Sequence, residues 1–384
     1  MKVAVLGFGT IGKGVYAMLQ DAPGMEAGPV LVRPGKADAP WKVTDIDDIV
    51  NDPSVDAVAE MMGGIEPAFS YASKALSAGK HFVTSNKALV AAHGLELAAV
   101  AREKKAAFLF SAACGGGVPF LHNLSLAVKT DKVINLGGIL NGTTNYMLDA
   151  MQRRSLSYAE ALSDAQQLGY AEADPTADVS GMDALRKIML ACAVGFDVLP
   201  TEGLLNEGIE SIISDDVADF KRRSLVCRLV AKGGINEKGI YAFVEPTLLP
   251  LNAPECSVLD NYNMAKYTGQ NSGPMVFMGQ GAGRYPTASA VLRDLSCIEL
   301  GHRNMLSESC KKGAAENGQS VQSYYVRLPE KFAPLLPIRE GKSENGVLRA
   351  VSESVSVQRM HETVKKIRSE GAEVFFAGLE CDKP

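Results

Sequence analysis

The chain has 384 residues and a formal net charge of −5, with 46% hydrophobic and 22% charged residues. This length allows two domains with sizeable cores, and the composition is that of an ordinary globular protein. The acidic balance, with no basic run, excludes an electrostatic case for nucleic-acid binding, and no apolar stretch approaches the roughly 20 residues that span a membrane.

The first 126 residues alternate short apolar runs with helix-like segments. The predicted strands cover 3–7, 29–33, 56–62, 81–85 and 107–112, and the predicted helices cover 11–20, 67–78 and 87–104. Such alternation is typical of a parallel, doubly wound sheet. The predicted fold class is therefore α/β, a Rossmann-type doubly wound parallel sheet. Residues 34–55 carry little helix signal and predict a short or irregular crossover.

The pattern changes near residue 130, where KVINLGGIL predicts a strand. Helices are predicted near 144–153, 157–168, 179–195 and 202–215, followed by a strand in GIYAFVEPTLL and a helix within 279–300. We expect the last helix to pack back against the first domain. The predicted division is a dinucleotide-binding domain over 1–128 plus about 279–328, an α+β substrate-binding and dimerisation domain over 129–278, and a strand-helix-strand tail over 329–384.

The stretch GFGTIG, residues 7–12, directly follows a predicted strand and opens a predicted helix. Gly7 allows a tight turn, Gly9 lets a pyrophosphate approach the backbone, and Gly12 lets helix and strand pack closely. The helix N-terminus favours an anion. We therefore predict that Gly7, Phe8, Gly9, Thr10, Ile11 and Gly12 bind a dinucleotide. The alternative is a tight strand-helix turn without a ligand.

The end of the second predicted strand bears on the choice between NAD and NADP. It reads VRPGK, with Arg33 and Lys36 and no carboxylate before Asp38. Positive side chains at this position suit a 2′-phosphate, whereas an acidic one would bind the ribose hydroxyl. NADP is the predicted cofactor, with NAD still possible. A surface Arg-Pro turn is the alternative interpretation.

The stretch GYAEADPTADVSGMDALRK, residues 169–187, concentrates carboxylates ahead of Lys187 and contains no histidine. Asp183 and Lys187 are four positions apart and share a helix face. The following IMLACAVGF is apolar all round, which indicates a buried helix. A lysine at the mouth of such a helix has a lowered pKa, which suits proton transfer. An ordinary surface ion pair is the other interpretation.

Two further carboxylates precede this helix. Asp178 is open to two interpretations, a helix N-cap or part of a site. Glu172 either binds a cationic substrate group or lies in an exposed loop, and Asp174 has no assigned role.

Four patterns, in order, resemble the homoserine dehydrogenase family. They are GFGTIG, TSNKALV (84–90), GGILNGTTNYML (137–148) and GYAEADPTADVSGMDALRK, and the resemblance extends over about residues 1–328. It implies reversible, nicotinamide-dependent interconversion of L-aspartate 4-semialdehyde and L-homoserine, a step of threonine and methionine biosynthesis. It also implies a homodimer or higher homo-oligomer.

The resemblance assigns roles to individual residues. It implies that Lys187 is the catalytic proton donor, that Asp183 orients it, and that Glu172 binds the substrate ammonium. The other implied site residues are Tyr170, Asp178, Gly142 and Thr143 for the substrate, Lys87 for substrate and cofactor, and Gly169 and Gly283 for the cofactor.

The sequence departs from the family pattern in three places. Ser111 stands where the family usually has glutamate, beside a loop that resembles a monovalent-cation site formed by the backbone at Cys114, Gly116 and Val118. The resemblance thus implies a site for a cation such as Na⁺ that lacks the usual carboxylate. The stretch between the second and third strands looks shortened. The tail is too short for the complete regulatory domain that many members append.

Two other function classes remain as alternatives. Cys114 follows the fifth predicted strand, where acylating semialdehyde dehydrogenases carry their nucleophile, with His122 as the nearest possible partner. A sensor that binds NADP without turnover is the other. The seven scattered cysteines, without a CxxC pair, indicate reduced thiols, and MKVAVLGFGTIG is not a signal peptide. We therefore expect a cytoplasmic protein.

Overall fold

The computed structural model describes residues 1–35 and 39–380, and this part of the chain forms two compact units. The first unit comprises Met1–Val133, Met189–Leu199 and Gly269–Lys312. The second comprises Ile134–Ile188, Pro200–Thr268 and the described residues from 313 onward. The functional division at 128, 278 and 328 stays a prediction.

The N-terminal part of the first unit is a parallel sheet with helical crossovers. Its elements are β1 (Lys2–Leu6), α1 (Thr10–Leu19), β2 (Glu26–Leu31), β3 (Lys42–Val43), α2 (Asp47–Val50), β4 (Ala57–Glu60), α3 (Ala68–Ser77), β5 (His81–Thr84), α4 (Lys87–Glu103), β6 (Phe108–Leu109) and α5 (Phe120–Ala127). The strand order is β3-β2-β1-β4-β5-β6. This order is that of dinucleotide-binding folds, and it confirms the predicted class.

The buried strands explain why these segments pair. β1 after Lys2 and β4 before Glu60 are apolar and fully buried, as expected for a parallel sheet with both faces covered. Between β2 and β4 the described residues form β3, of two residues, and α2, of four, so this crossover is irregular, as the weak helix signal predicts.

The rest of the chain adds the remaining helices and strands. They are β7 (Val133–Ile139), α6 (Gly142–Arg154), α7 (Tyr158–Gln167), α8 (Thr176–Val179), α9 (Met182–Phe196), β8 (Val198–Glu202), β9 (Leu205–Asn206), α10 (Ser214–Arg222), β10 (Leu225–Asn236), β11 (Gly239–Pro250), β12 (Tyr262–Gly269), β13 (Gly273–Gln280), α11 (Arg284–Glu299), β14 (Lys311–Ala314), β15 (Val321–Gln322), β16 (Tyr324–Pro329), β17 (Ile338–Glu344), β18 (Val347–Ser352), β19 (Val355–Ser356), α12 (Val357–Ser369) and β20 (Phe375–Leu379).

Helix α11 belongs to the first unit, where it packs against α1. The contact is close at Gly14, since a Cβ there would lie 2.9 Å from the backbone oxygen of Arg284. Glycine at this position therefore permits the two helices to approach each other.

The second unit is organised on a mixed sheet in the order β12-β7-β10-β11-β20-β16-β18-β17. One edge of β11 pairs with β10 along its full length. The other edge is shared, because Phe243 and Val244 pair with β9 while Thr247 and Leu248 pair with β20. The C-terminal strand β20 therefore lies within the sheet of the second unit, between β11 and β16.

The C-terminal region contributes an antiparallel sheet covered by one long helix. α12 buries Met360, Val364 and Ile367 against a cluster that includes Tyr324 and Phe376. The amphipathic pattern of RMHETVKKIRSEG explains this packing, since its apolar side chains recur on one helix face. Within residues 1–35 and 39–380, every helix is too short or too polar to cross a lipid bilayer.

The prediction of a helix over residues 202–215 is wrong. Residues 198–202 and 205–206 are strands, and the helix begins only at Ser214. Gly203 has φ of +68°, and a Cβ at Gly208 would lie 2.2 Å from the carbonyl oxygen of Val179. The segment is held by pairing with β11 and by close backbone contacts, which a helical periodicity cannot reveal.

Candidate active site

The candidate active site lies in the second unit, where α9 carries Lys187 one turn after Asp183. Nζ of Lys187 lies 2.7 Å from Oδ2 of Asp183 and donates to the backbone carbonyl of Leu140 at 2.6 Å. Asp183 is 6% exposed and Lys187 is 9% exposed. The ordinary surface ion pair is therefore excluded, and the ammonium is fixed from two sides.

The apolar run after Lys187 is buried, as predicted. Ile188, Leu190 and Cys192 are no more than 1% exposed. The helix thus places one charged pair at the start of an apolar segment, where burial strengthens electrostatic interactions.

Asp178 joins this cluster through Asn141. The Asn141 side-chain amide donates to Oδ1 of Asp178 at 2.7 Å and to Oδ2 of Asp183 at 2.9 Å. Burial, together with the nearby Asp183, raises the pKa of Asp178, although the hydrogen bonds from Asn141 and Thr143 oppose the shift. The N-cap interpretation of Asp178 is wrong, because this residue lies inside α8 and α9 begins at Met182.

Asn141 is a site residue that the sequence reasoning missed. It is the N-cap of α6, and its side-chain oxygen accepts from the backbone N–H of Thr144 at 2.9 Å, which fixes the amide orientation. The signal was present, since asparagine before a helix start is a common N-cap. One side chain therefore caps a helix and binds two carboxylates.

Gly142 and Thr143 are the first two residues of α6. A Cβ at Gly142 would lie 2.5 Å from the carbonyl oxygen of Asn261, so this position requires glycine. Oγ1 of Thr143 lies 2.6 Å from the carbonyl of Tyr170 and 3.2 Å from Oδ2 of Asp178. The start of α6 thus contacts both parts of the acidic stretch.

The loop before α8 carries the remaining carboxylates. Glu172 is exposed, and its backbone carbonyl accepts from the amide of Gln166. Asp174 accepts from the backbone and the hydroxyl of Thr176, and these hydrogen bonds lower the pKa of Asp174. Asp174 is therefore a local turn residue, whereas Glu172 presents its carboxylate at the surface.

Tyr170 is partly exposed and contacts Tyr146 edge to face, with ring centroids 5.1 Å apart. The hydroxyl of Tyr146 in turn donates to Asp164 at 2.6 Å. This aromatic pair fixes the start of the loop that carries Glu172.

The glycine loop in the first unit fits a dinucleotide. Gly7 has φ of +91°, and a Cβ at Gly12 would lie 2.0 Å from the oxygen of Gly7. A Cβ at Gly9 would meet no described atom within 4 Å. The turn and the packing thus require Gly7 and Gly12, whereas Gly9 leaves free space at the N-terminus of α1 for a pyrophosphate.

The other predicted cofactor residues are distributed along the chain. Arg33 is exposed beyond the end of β2, and Lys36 lies outside the described residues. Lys87 is half-buried at the first position of α4 in the first unit. Gly169 follows the C-cap of α7 in the second unit with φ of +74°, and Gly283 precedes α11 in the first with φ of +115°.

The loop of the predicted cation site follows β6. The hydroxyl and the backbone N–H of Ser111 both donate to Asp294, at 2.5 and 2.8 Å. Asp294 is 1% exposed, and burial raises its pKa to about 7. The Ser111 hydroxyl is therefore oriented toward Asp294. The carbonyl of Val118 accepts from Phe120, and the described residues contain no group of three metal-binding side chains.

The arrangement around Cys114 disfavours thioester chemistry. Cys114 is fully buried, and Nδ1 of His122 lies 3.7 Å from the sulfur of a different cysteine, Cys297. Burial lowers the pKa of His122. A cysteine nucleophile needs access to its substrate, which the full burial of Cys114 does not provide.

Comparisons with known proteins agree with the geometry. A family model described as homoserine dehydrogenase matches residues 119–296, and one described as homoserine dehydrogenase, NAD binding domain, matches residues 7–111. A homoserine dehydrogenase of Synechocystis is 39% identical over 313 residues, which cover 77% of this chain and 72% of the relative. One of Lactococcus lactis is 36% identical, covering 88% of this chain and 86% of the relative.

A solved homoserine dehydrogenase of Thiobacillus denitrificans has a similar structure. Its TM-score is 0.89 at 29% identity, and the match covers 99% of this chain and 98% of that one. The similarity thus includes the C-terminal region, beyond the residues that the family models match.

Proposed function

Because this chain belongs to the homoserine dehydrogenase family, we propose that Lys187 and Asp183 form the proton-donating centre of its NAD(P)-dependent reaction. The chain is an oxidoreductase that interconverts L-aspartate 4-semialdehyde and L-homoserine. The observation that carries the proposal is the burial of Lys187 between Asp183 and the carbonyl of Leu140.

The role of Lys187 follows from where charge develops. When the semialdehyde carbonyl is reduced, negative charge grows on its oxygen, and a fixed ammonium stabilises that charge and then donates a proton. In the reverse direction the neutral amine accepts the proton of the homoserine hydroxyl. The bound nicotinamide supplies or accepts the hydride. Asp183 and the Leu140 carbonyl keep Nζ in place throughout.

We propose that Glu172 binds the ammonium of the amino-acid substrate. Its exposed carboxylate is available to a charged group, and an ammonium-carboxylate hydrogen bond is stronger than a neutral one. Asp178, Tyr170, Gly142 and Thr143 are proposed to line the same substrate region, which their mutual hydrogen bonds support. Lys87 is proposed to contact substrate and cofactor.

We propose NADP as the preferred cofactor. The support is the exposed Arg33 after β2, in a stretch that has no carboxylate before Asp38. Lys36 would add a second positive charge. Residues 7–12 would bind the pyrophosphate, with Gly169 and Gly283 as further contacts.

The cation and the assembly are also proposals. A monovalent cation such as Na⁺ would depend on the backbone carbonyls of Cys114, Gly116 and Val118 alone. A homodimer or higher homo-oligomer is supported by exposed apolar side chains on β13, namely Met275, Val276 and Met278. The reduced state of the six described cysteines supports a cytoplasmic location.

The test is steady-state oxidation of homoserine with NADP and NAD side by side, after checking the purified protein for bound nucleotide. We expect NADPH formation at a kcat/KM above that for NAD. Cofactor binding without any homoserine-dependent reduction would instead indicate a non-catalytic sensor and would overturn the catalytic proposal.

A further inference from the structure

We propose that Arg368, on the C-terminal helix α12, is a positioning residue for the active site. The inference rests on the proposed role of the Asp183–Lys187 pair. It assigns a task to the C-terminal region, which lies outside the residues matched by the family models.

Arg368 of the C-terminal helix forms a bidentate ion pair with Glu207. Nη1 of Arg368 lies 2.9 Å from Oε2 of Glu207, and Nη2 lies 2.6 Å from Oε1. Nη2 also donates to the carbonyl of Val374 at 3.3 Å. The planar guanidinium therefore fixes the Glu207 carboxylate in orientation as well as in distance.

Glu207 is only 8% exposed, so removing its partner leaves a largely buried carboxylate unpaired. Such a change costs more than the loss of a surface ion pair. Glu210 is the next carboxylate along the chain, and its negative charge cannot replace the arginine. Loss of Arg368 therefore favours movement of the segment around Glu207 toward solvent.

Residues 206–209, which include Glu207, contact the turn between α8 and α9. Asn206 donates from its amide to the carbonyl of Ser180 at 2.8 Å, and the N–H of Ile209 donates to the carbonyl of Val179 at 2.8 Å. A Cβ at Gly208 would lie 2.6 Å from Cα of Ser180. Residues 206–209 are thus in close contact with residues 179–180.

The turn between α8 and α9 contains Gly181. Gly181 has φ of +81° and lies against the same segment, since a Cβ there would be 3.2 Å from the oxygen of Glu207. Asp178 lies on one side of this turn and Asp183 on the other, and both bind the Asn141 amide. Movement of residues 206–209 therefore changes the distance between the two carboxylates and the orientation of Lys187.

Arg368 lies on a well-packed part of the C-terminal helix α12. Ile367, next to Arg368, is fully buried in the C-terminal core. β20 pairs with β11 directly beyond the residues that pair with β9. The arginine is thus held by a packed helix, and its ion pair transmits that position to Glu207.

The test compares Arg368→Gln with Arg359→Gln, an exposed arginine on the same helix. We expect Arg368→Gln to lose about 3- to 30-fold in kcat/KM for homoserine, with KM for NADP unchanged within about 2-fold. Glu207→Gln should lose a similar factor, and the double variant should lose no more than the worse single variant. Arg368→Lys should recover only part of the loss, since lysine cannot pair bidentately.

Hydrogen exchange gives a readout that is independent of activity. We expect faster exchange in peptides covering 176–190 and 203–212 of Arg368→Gln than in Arg359→Gln. Equal exchange and equal kcat/KM in the two variants would overturn the positioning role. If the wild type itself fails to oxidise homoserine, the proposed function is wrong. The exchange comparison then still tests whether Arg368 orders residues 176–190 and 203–212.

Discussion

Lys187 donates from Nζ to the backbone carbonyl of Leu140 over 2.6 Å, although 47 positions separate the two residues. The acceptor directly follows β7, and the donor is on α9. The ammonium is therefore held by a carbonyl after a strand as well as by Asp183. A proton donor fixed in this way needs little reorganisation when charge develops on the substrate oxygen.

Asn141→Ala should reduce kcat/KM for homoserine by about 10- to 100-fold, because Asp178 and Asp183 both lose their shared donor. The lost helix cap should also cost about 1 kcal/mol of unfolding free energy. Ser157→Ala, which removes the capping side chain of α7, is the matched control. Equal activity of the two variants would contradict a site role for Asn141.

Alanine substitutions in the glycine loop should separate binding from folding. Gly9→Ala should keep the wild-type Tm, since its Cβ meets no described atom within 4 Å, but should weaken NADPH binding at least about 10-fold. Gly12→Ala should lower Tm, because its Cβ would lie 2.0 Å from the oxygen of Gly7. Calorimetry and cofactor titration measure the two effects. Unchanged NADPH affinity in Gly9→Ala would place the pyrophosphate elsewhere.

Arg33→Gln should lose about 10-fold in kcat/KM with NADP and little with NAD, because a charge-assisted hydrogen bond to the 2′-phosphate disappears. Arg359→Gln serves as the control for the loss of a surface charge. A parallel decrease with both cofactors would contradict the assignment of Arg33 to the phosphate.

Asp294→Asn should change how stability depends on pH. Folded Asp294 keeps its proton up to about pH 7, whereas the unfolded carboxyl, with its ordinary pKa near 3.8, releases it earlier. Between these values the unfolded state binds fewer protons, so this residue destabilises the wild type progressively as pH rises to about 7. Asparagine can accept from the Ser111 N–H through its carbonyl oxygen and donate from its amide to the Ser111 hydroxyl oxygen, without carrying a charge.

The measurement is the Tm difference between Asp294→Asn and wild type at pH 5 and pH 8. We expect the Tm of the variant minus that of the wild type to be several degrees larger at pH 8 than at pH 5. A difference that is the same at both pH values would show that Asp294 is ionised in the folded protein at pH 5 as well.

Local patterns predicted the first unit well. Five of its strands lie within or beside the predicted ranges, and GFGTIG forms the expected turn before α1. A parallel sheet makes this possible, because buried apolar runs and glycine turns depend on residues close in sequence. The strand pair β9–β11 depends instead on contacts with distant residues, which explains the incorrect helix at 202–215.

Only those features of the candidate site that depend on residues close in sequence could be predicted. The pairing of Asp183 with Lys187 follows from helical spacing within one segment. The contribution of Asn141 requires knowing that the start of α6 meets α8 and α9. The roles of Asp174 and Asp178 stay open in the sequence, because only the fold reveals which carboxylate bonds locally to Thr176 and which is buried with Asn141.

The most direct test of the account is the turnover of Lys187→Ala with NADPH binding measured on the same preparation. The variant should bind NADPH as the wild type does and lose about 10²- to 10⁴-fold in kcat, the usual contribution of a general acid. A variant that kept more than about a tenth of the wild-type kcat would contradict proton donation by Lys187.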